Sequence, residues 1–297
     1  MQITITNSTN WTWKLICVAV LVSTLLSDAQ TVTRPDQMQT IQENQARTAA
    51  LAFEQQLTIT KDNNARYNLI HTYYSGLRSP QEKQAAIALI SSRYFSPIPL
   101  GMRAEVLIPL LTDDDRDIRR STVQALGFVA NVSRADAAKI TKRFASMLTT
   151  DPYLRTDILM AIGLSHHKEY AKKVSHYLRD TSPAVRAEAA FCVATLTAPD
   201  TSYQLQIAPL LEDADRNVRQ RAISALYVMN SKSVERYMEK MLTDPDARVR
   251  IDVIRLLVYS HAVQASPAIQ LLSNDPDELV RKEVEDAIKQ LNTNSKI

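Results

Sequence analysis

Glycine is nearly missing from this sequence: its 297 residues contain four, and no two lie closer than Gly76 and Gly101. Loops of the G-x-G-x-x-G and G-x-x-x-x-G-K-[ST] kinds need several glycines so that backbone N–H groups can approach a phosphate. Nucleotide-dependent enzymes of those two kinds are excluded. Cysteine is scarcer still, with only Cys17 and Cys192, and aromatic residues make up 6%. No run of five or more like charges occurs, and 35 Lys/Arg stand against 32 Asp/Glu for a net charge of +3. Interspersed charge of this kind makes no broad positive field, so no nucleic-acid partner is expected. What remains, 45% apolar and 23% charged, is ordinary soluble-globular material with enough apolar residues for a sizeable core. Length alone suggests about two domains, a prior that the repeats below replace.

The first 29 residues read as an address. Lys14 is the one cation before an apolar run from Leu15 to Leu26, broken only by Ser23 and Thr24, and Ser27-Asp28-Ala29 follows. A positive flank, a short apolar core and small residues at −3 and −1 describe a secretory signal peptide cut after Ala29. The run falls short of the roughly 20 residues that span a bilayer. The expected location is outside the cytoplasm, periplasmic or extracellular; an uncleaved anchor is the alternative and the only membrane attachment expected. After cleavage Cys192 stands alone, so no internal disulfide forms and packing must hold the fold.

The rest of the chain repeats itself. Ile118-Arg119, Leu154-Arg155, Val185-Arg186, Val218-Arg219, Val249-Arg250 and Val280-Arg281 place arginines 36, 31, 33, 31 and 31 residues apart. Four residues before each stands Asp115, Asp151, Ser182, Asp215, Asp246 or Asp277, the type of residue that caps a helix N-terminus. Six before, in all but the second copy, stands Asp113, Asp180, Asp213, Asp244 or Asp275. Apolar residues at −1, +3, +6, +7 and +10 from the arginine form one helical stripe, as in Val249, Val253, Leu256 and Leu257. Another apolar helix, ending in a leucine such as Leu111, Leu148 or Leu211, precedes every cap. Each unit is thus a helix–turn–helix with no apolar face it can leave in water, and neighbouring units must stack. Ser79-Pro80 and Lys83 mark a weaker first unit, and Glu285, Lys289 and Gln290 give the last one a polar outer face, as a terminal repeat requires.

These residues resemble the HEAT repeat family, most closely its short PBS-lyase-like class. The marks are the aspartate six residues before an arginine, as in Asp213 and Arg219, and the run Ala125-Leu126-Gly127 with its variant Ala161-Ile162-Gly163. The resemblance covers residues 61–297. It implies an all-α solenoid of about seven helix–turn–helix repeats; before them Met38, Ile41, Ala46, Ala49, Phe53 and Leu57 suggest one further amphipathic helix, so that 30–60 is read as a linker and capping helix. It also implies a ladder of ion pairs between successive turns, carried here by Asp113 and Arg119, Asp180 and Arg186, Asp213 and Arg219, Asp244 and Arg250, and Asp275 and Arg281. The second copy departs, with Thr149 at −6 and a shorter turn, which leaves its rung unassigned. Members mostly bind other macromolecules along a curved inner face.

Chemistry is hard to find. His166 and His167 are adjacent, but no His-Glu pair and no His-Glu-x-x-His occurs, so the pattern that holds zinc beside a general base is missing. His166 and His261, both at +11, suit the exposed carbonyls and negative dipole at a helix end. Cys192 falls on the apolar stripe and reads as a small buried hydrophobe. No metal and no cofactor is expected, and the chain is read as a non-enzyme. Helical periodicity of 100° per residue puts +1, +5 and +8 opposite the stripe, on the side that lines the inner face in the HEAT family. There Met160, Phe191, Tyr227, Ile251 and Val258 are apolar, with Arg255 as a polar anchor. Aromatics, Met and Arg are enriched at interface cores, so these six are the candidate protein-partner site. The alternative is an enzyme-maturation factor or lyase-like protein that holds a small ligand on the same face.

Overall fold

The computed structural model describes residues 37–91, 98, 100–229, 234–260 and 265–294; the expected signal segment and His261 lie outside them. The chain divides into two compact units, 1–49 and 50–297. The described part of the first, 37–49, is helical throughout and is the beginning of α1 (Gln37–Ile59). The second half of this helix carries Phe53 and Leu57, both buried in the core of the second unit, where the Phe53 ring stacks on Tyr73 at 3.9 Å.

The second unit continues with α2 (Asn63–Gly76) and α3 (Pro80–Ser91), then pairs of helices. First helices are α4 (Leu100–Leu107), α6 (Arg134–Thr150), α8 (Ala171–Ser175), α10 (Gln204–Ile207), α12 (Val234–Met241) and α14 (Ser266–Gln270). Their partners are α5 (Arg116–Val132), α7 (Arg155–Gly163), α9 (Pro183–Thr197), α11 (Arg216–Val228), α13 (Ala247–Tyr259) and α15 (Glu278–Asn294). No strand occurs among the described residues. The fold is an all-α solenoid, in which α3 and the second helix of each later pair pack on one another in a single row.

The turn between paired helices explains the Asp-x-Asp spacing. In Asp113, Asp180, Asp213, Asp244 and Asp275 the Oδ1 atom accepts the N–H two residues on, at 2.9–3.0 Å. The second carboxylate then caps the helix: Asp115 accepts from Asp117 and Ile118, Asp215 from Asn217 and Val218, Asp246 from Arg248, and Asp277 from Leu279 and Val280. Two expected caps are not made. Ser182 forms no side-chain cap bond, and Pro183 follows it where a missing N–H costs nothing. Asp151 makes none either, because its carboxylate is turned to Arg119.

That turning completes the ladder. Each guanidinium joins its own turn to the next one. Arg186, Arg219 and Arg250 donate in pairs to Asp213, Asp244 and Asp275 of the following repeat, at 2.6–2.9 Å. Their Nη1 atoms meanwhile donate to the carbonyls of Asp180, Asp213 and Asp244 in their own turns. Lys83 pairs with Asp113 at 2.6 Å and Arg155 with Asp180 at 3.3 Å. At the second copy, where no aspartate stands at −6, Arg119 reaches Asp151 instead, at 3.2 Å. Arg281 holds the carbonyl of Asp275 and closes the series.

One continuous cluster of buried side chains runs beneath the ladder, and the stripe Ile118, Ala125, Leu126 and Val129 belongs to it. Successive second helices approach closely where they carry glycine. A Cβ on Gly127 would stand 3.0 Å from that of Ala161, and one on Gly163 would stand 2.8 Å from Thr195 Oγ1. Both glycines occupy the +8 position. At the far end Glu285, Lys289 and Gln290 of α15 are exposed, so the array finishes on a polar face.

Candidate functional site

The +8 contact revises the expected binding face. Counted from the arginine, +8 points at the next second helix and not into the open, because that is where Gly127 and Gly163 meet their neighbours. Tyr227 and Val258, both at +8, are accordingly half-buried against the core. The Tyr227 ring meets Tyr259 of α13 edge-on, with centroids 6.3 Å apart. Met160, Phe191 and Ile251 are half-buried at +5 and +1, and Arg255 at +5 is exposed. The open face therefore consists of −2, +1, +2 and +5, and four of the six expected residues lie on it.

Position +2 carries polar chemistry that the reading of +1, +5 and +8 overlooked. Asp157, Glu188, Arg221, Asp252 and Glu283 all occupy it, and they link neighbouring second helices. Arg120 approaches Asp157 at 3.4 Å, and Gln124 donates to the same carboxylate at 3.2 Å. Arg221 donates to both oxygens of Glu188, at 2.9 and 3.2 Å, while its guanidinium lies 3.9 Å over the Phe191 ring. Gln220 bonds Asp252, and Arg255 pairs with Glu283 at 2.7 Å. Reading every register position through the copies, rather than only the three opposite the stripe, exposes this column.

Burial governs the electrostatics here. It pushes the Glu188 carboxyl up from its ordinary value, against the opposing pull of Arg221, and the Asp157 charge adds to the rise. Asp252 is raised by burial as well, with Arg255 and Gln220 pulling the other way. Cys192, one turn beyond Glu188, is fully enclosed, and burial pushes its thiol up further. It is an inert packing residue, since a reactive thiol needs an exposed electropositive setting.

Farther along the row, α11 and α13 pack less closely than the other successive second helices from α3 to α15. At +8, where earlier repeats carry Gly127, Gly163 and Ala194, this one has the ring of Tyr227. A cavity of about 660 Å³ opens over α11, α13 and α15. Arg216 and Gln220 line one side, Ile251 and Arg255 the floor, and Leu279 and Lys282 the other side. Between α5 and α7 Tyr153 is exposed, with the Arg116 guanidinium 3.5 Å over its ring.

Residues 205–289, which include this cavity, match the family described as HEAT repeats. Over that stretch, less than half of the chain, the sequence is similar to HEAT repeats. An overlapping stretch, 154–238, matches the family of non-SMC mitotic condensation complex subunit 1. The chain is similar to solved structures of other helical-repeat proteins. The complex of CpcE and CpcF of phycocyanin lyase from Nostoc sp. PCC7120 matches at 17% identity over 75% of this chain and 94% of that one, with a TM-score of 0.46. YibA of E. coli matches at 16% over 78% and 98%, with 0.44, and the archaeal HEAT-like repeats protein of Thermococcus onnurineus NA1 at 13% over 73% and 99%, with 0.42. No curated protein sequence matches the chain.

The histidines of the solenoid do not converge. His167 Nδ1 lies 2.8 Å from Glu169, and His176 Nδ1 lies 3.3 Å from the carbonyl of Lys173. His166, expected to meet carbonyls at the end of its helix, instead turns the chain after α7: its φ is 58° and its side chain is exposed. Among the described residues no group of three or more His, Cys, Asp or Glu could hold a metal ion. No described helix is long and apolar enough to cross a membrane.

Proposed function

We propose that this chain is an exported, non-catalytic scaffold that binds a protein partner along the open face of its second helices. The observation that carries the reading is the composition of that face. Phe191 and Ile251 are half-buried and Leu279 is 66% exposed where a purely solvated helix face would carry Lys, Glu or Gln. Apolar and aromatic side chains set among arginines are the makings of an interface core. The non-catalytic part rests on how the acids are used. Asp157, Glu188, Asp252 and Glu283 each have a cation or amide from a neighbouring helix, so each has a structural task and none is a free base. Export rests on the leader alone.

The test is capture from the native source with the full chain, followed by mass spectrometry, in parallel with Phe191→Ala. Loss of a specific partner in the variant at unchanged melting temperature supports the reading. A partner retained by Phe191→Ala and by Ile251→Asp alike overturns it, and turnover of a small molecule would replace it with the ligand-holding alternative.

A further inference from the structure

The cavity over α11, α13 and α15 has an uneven charge balance. Arg255 is answered by Glu283 at 2.7 Å and Arg216 by Asp246 at 3.4 Å. Among the carboxylates, Asp252 is bonded to Gln220, and Asp286 lies 3.8 Å from Lys289. Two lining cations remain. Arg248 and Lys282 are both exposed, and among the described residues neither has an ion-pair partner. Two apolar side chains stand among these charges, Ile251 half-buried and Leu279 66% exposed.

Two unanswered cations beside the apolar pair Ile251 and Leu279 define what fits. We propose that this cavity binds a linear, acidic segment of a protein partner, with carboxylates on Arg248 and Lys282 and a leucine-type side chain against Ile251 and Leu279. The inference rests on the scaffold reading above and adds the site and its chemistry. A polyanion such as nucleic acid fits poorly, because Glu283 and Asp286 line the same cavity and would repel a continuous run of phosphates. A protein segment offers its carboxylates singly and brings the apolar side chain as well. The mutual pairing of Arg255 with Glu283 leaves specificity to the two free cations.

The experiment is selection of a random peptide library on the full chain, with the winning peptides measured by fluorescence anisotropy. The expected winners carry carboxylates flanking a leucine, isoleucine or phenylalanine. Their affinity should fall roughly tenfold or more in the double variant Arg248→Glu, Lys282→Glu and weaken with added salt. Both positions are exposed, so the melting temperature of that variant should match the parent and separate a lost site from a lost fold. Lysine in place of the peptide carboxylates should restore binding to the charge-reversed protein. Winners that ignore the double variant but are lost in Phe191→Ala would overturn this site and leave the wider scaffold reading intact. Winners indifferent to both, winners without acidic residues, or no winners at all would overturn the proposal. So would a charge-sensitive self-association of the chain with no peptide binding.

Discussion

The ring of Tyr227 meets that of Tyr259 edge-on at 6.3 Å, at the register position where two earlier repeats carry glycine and one carries alanine. A residue that lets two helices touch in one repeat has become a spacer in another. Tyr227 is not among the residues that line the cavity. Tyr227→Ala should therefore act on stability before it acts on binding. Removing a half-buried ring that packs on the core costs about 2 kcal/mol, to be read as a shifted midpoint in urea with an unchanged slope. A midpoint equal to the parent's would mean that the ring is not packed between the helices.

Gly127 is under the opposite constraint. A methyl group there would lie 3.0 Å from Ala161 Cβ and 3.3 Å from its Cα, and a backbone atom of the next helix cannot rotate away. Alanine ordinarily gains up to about 1 kcal/mol over glycine inside a helix, but overpacking of this kind costs about 1–3 kcal/mol. Gly127→Val, which adds two more carbons, should destabilise clearly, whereas Gly163→Ala should be milder because Thr195 Oγ1 can swing aside. Thermal melts of the two variants should rank in that order.

The ladder makes a prediction of its own. Arg250 and Asp275 are joined by two hydrogen bonds of 2.9 and 2.6 Å, and their side chains are 9% and 4% exposed. Arg250→Ala leaves a buried carboxylate without its cation and the Asp244 carbonyl without its donor, a loss of about 3 kcal/mol or more. Arg250→Lys should recover only part of this, since an ammonium cannot serve both carboxylate oxygens and the carbonyl in one plane. Equilibrium unfolding of both variants measures the difference.

Acid should attack the same ladder. The hydrogen bond from Arg186 holds Asp213 below the usual carboxylate range. Asp113 and Asp275 are lowered too: burial pushes each upward, but bonds from Lys83 and from Arg250 outweigh it. A carboxyl whose folded pKa is depressed contributes stability that is present above its ordinary value near 4 and disappears as pH falls through the depressed value. Melting temperature should thus hold down to about pH 4 and drop below it. Asp213→Asn should lower the plateau and flatten that drop; an unaltered acid limb would show that the rung does not contribute.

How far these features could be read in advance follows from which residues set them. The repeat and its turn are local: Asp213, Asp215 and Arg219 lie within one turn and helix start, so fixed spacing in the sequence is fixed geometry in space, and the ladder follows when equivalent turns stack and Arg219 meets Asp244. The second rung was not legible, because Asp151 abandons its cap for Arg119 only once the neighbouring repeat is in place. The open face was legible to within one residue of phase. Helical periodicity says which residues oppose the stripe, but whether +8 faces solvent or the next helix depends on the rotation between repeats. That rotation is set by contacts such as Gly163 on Cys192, between residues far apart in the chain. The column of Asp157, Glu188, Arg221, Asp252 and Glu283 was present at a fixed register position, and its pairing partners are again supplied by adjacent repeats.

Glu188 and Arg221 allow the sharpest separation of charge from packing. Burial raises the Glu188 carboxyl while Arg221 pulls it down. A carboxyl whose folded pKa lies above its ordinary value near 4.3 penalises the fold increasingly as pH rises from that value through the raised one. Arg221→Ala removes the lowering influence, so the pKa rises further and the penalty at neutral pH grows. The variant should lose about 3 kcal/mol at pH 7 and lose less at pH 5, because a raised carboxyl is the more readily protonated as pH falls. Adding Glu188→Gln to Arg221→Ala should abolish that pH dependence, because an amide has no charge to bury. Chemical denaturation of the single and double variants at the two pH values decides it: equal losses at both would show that Arg221 acts by covering Phe191 rather than by neutralising Glu188.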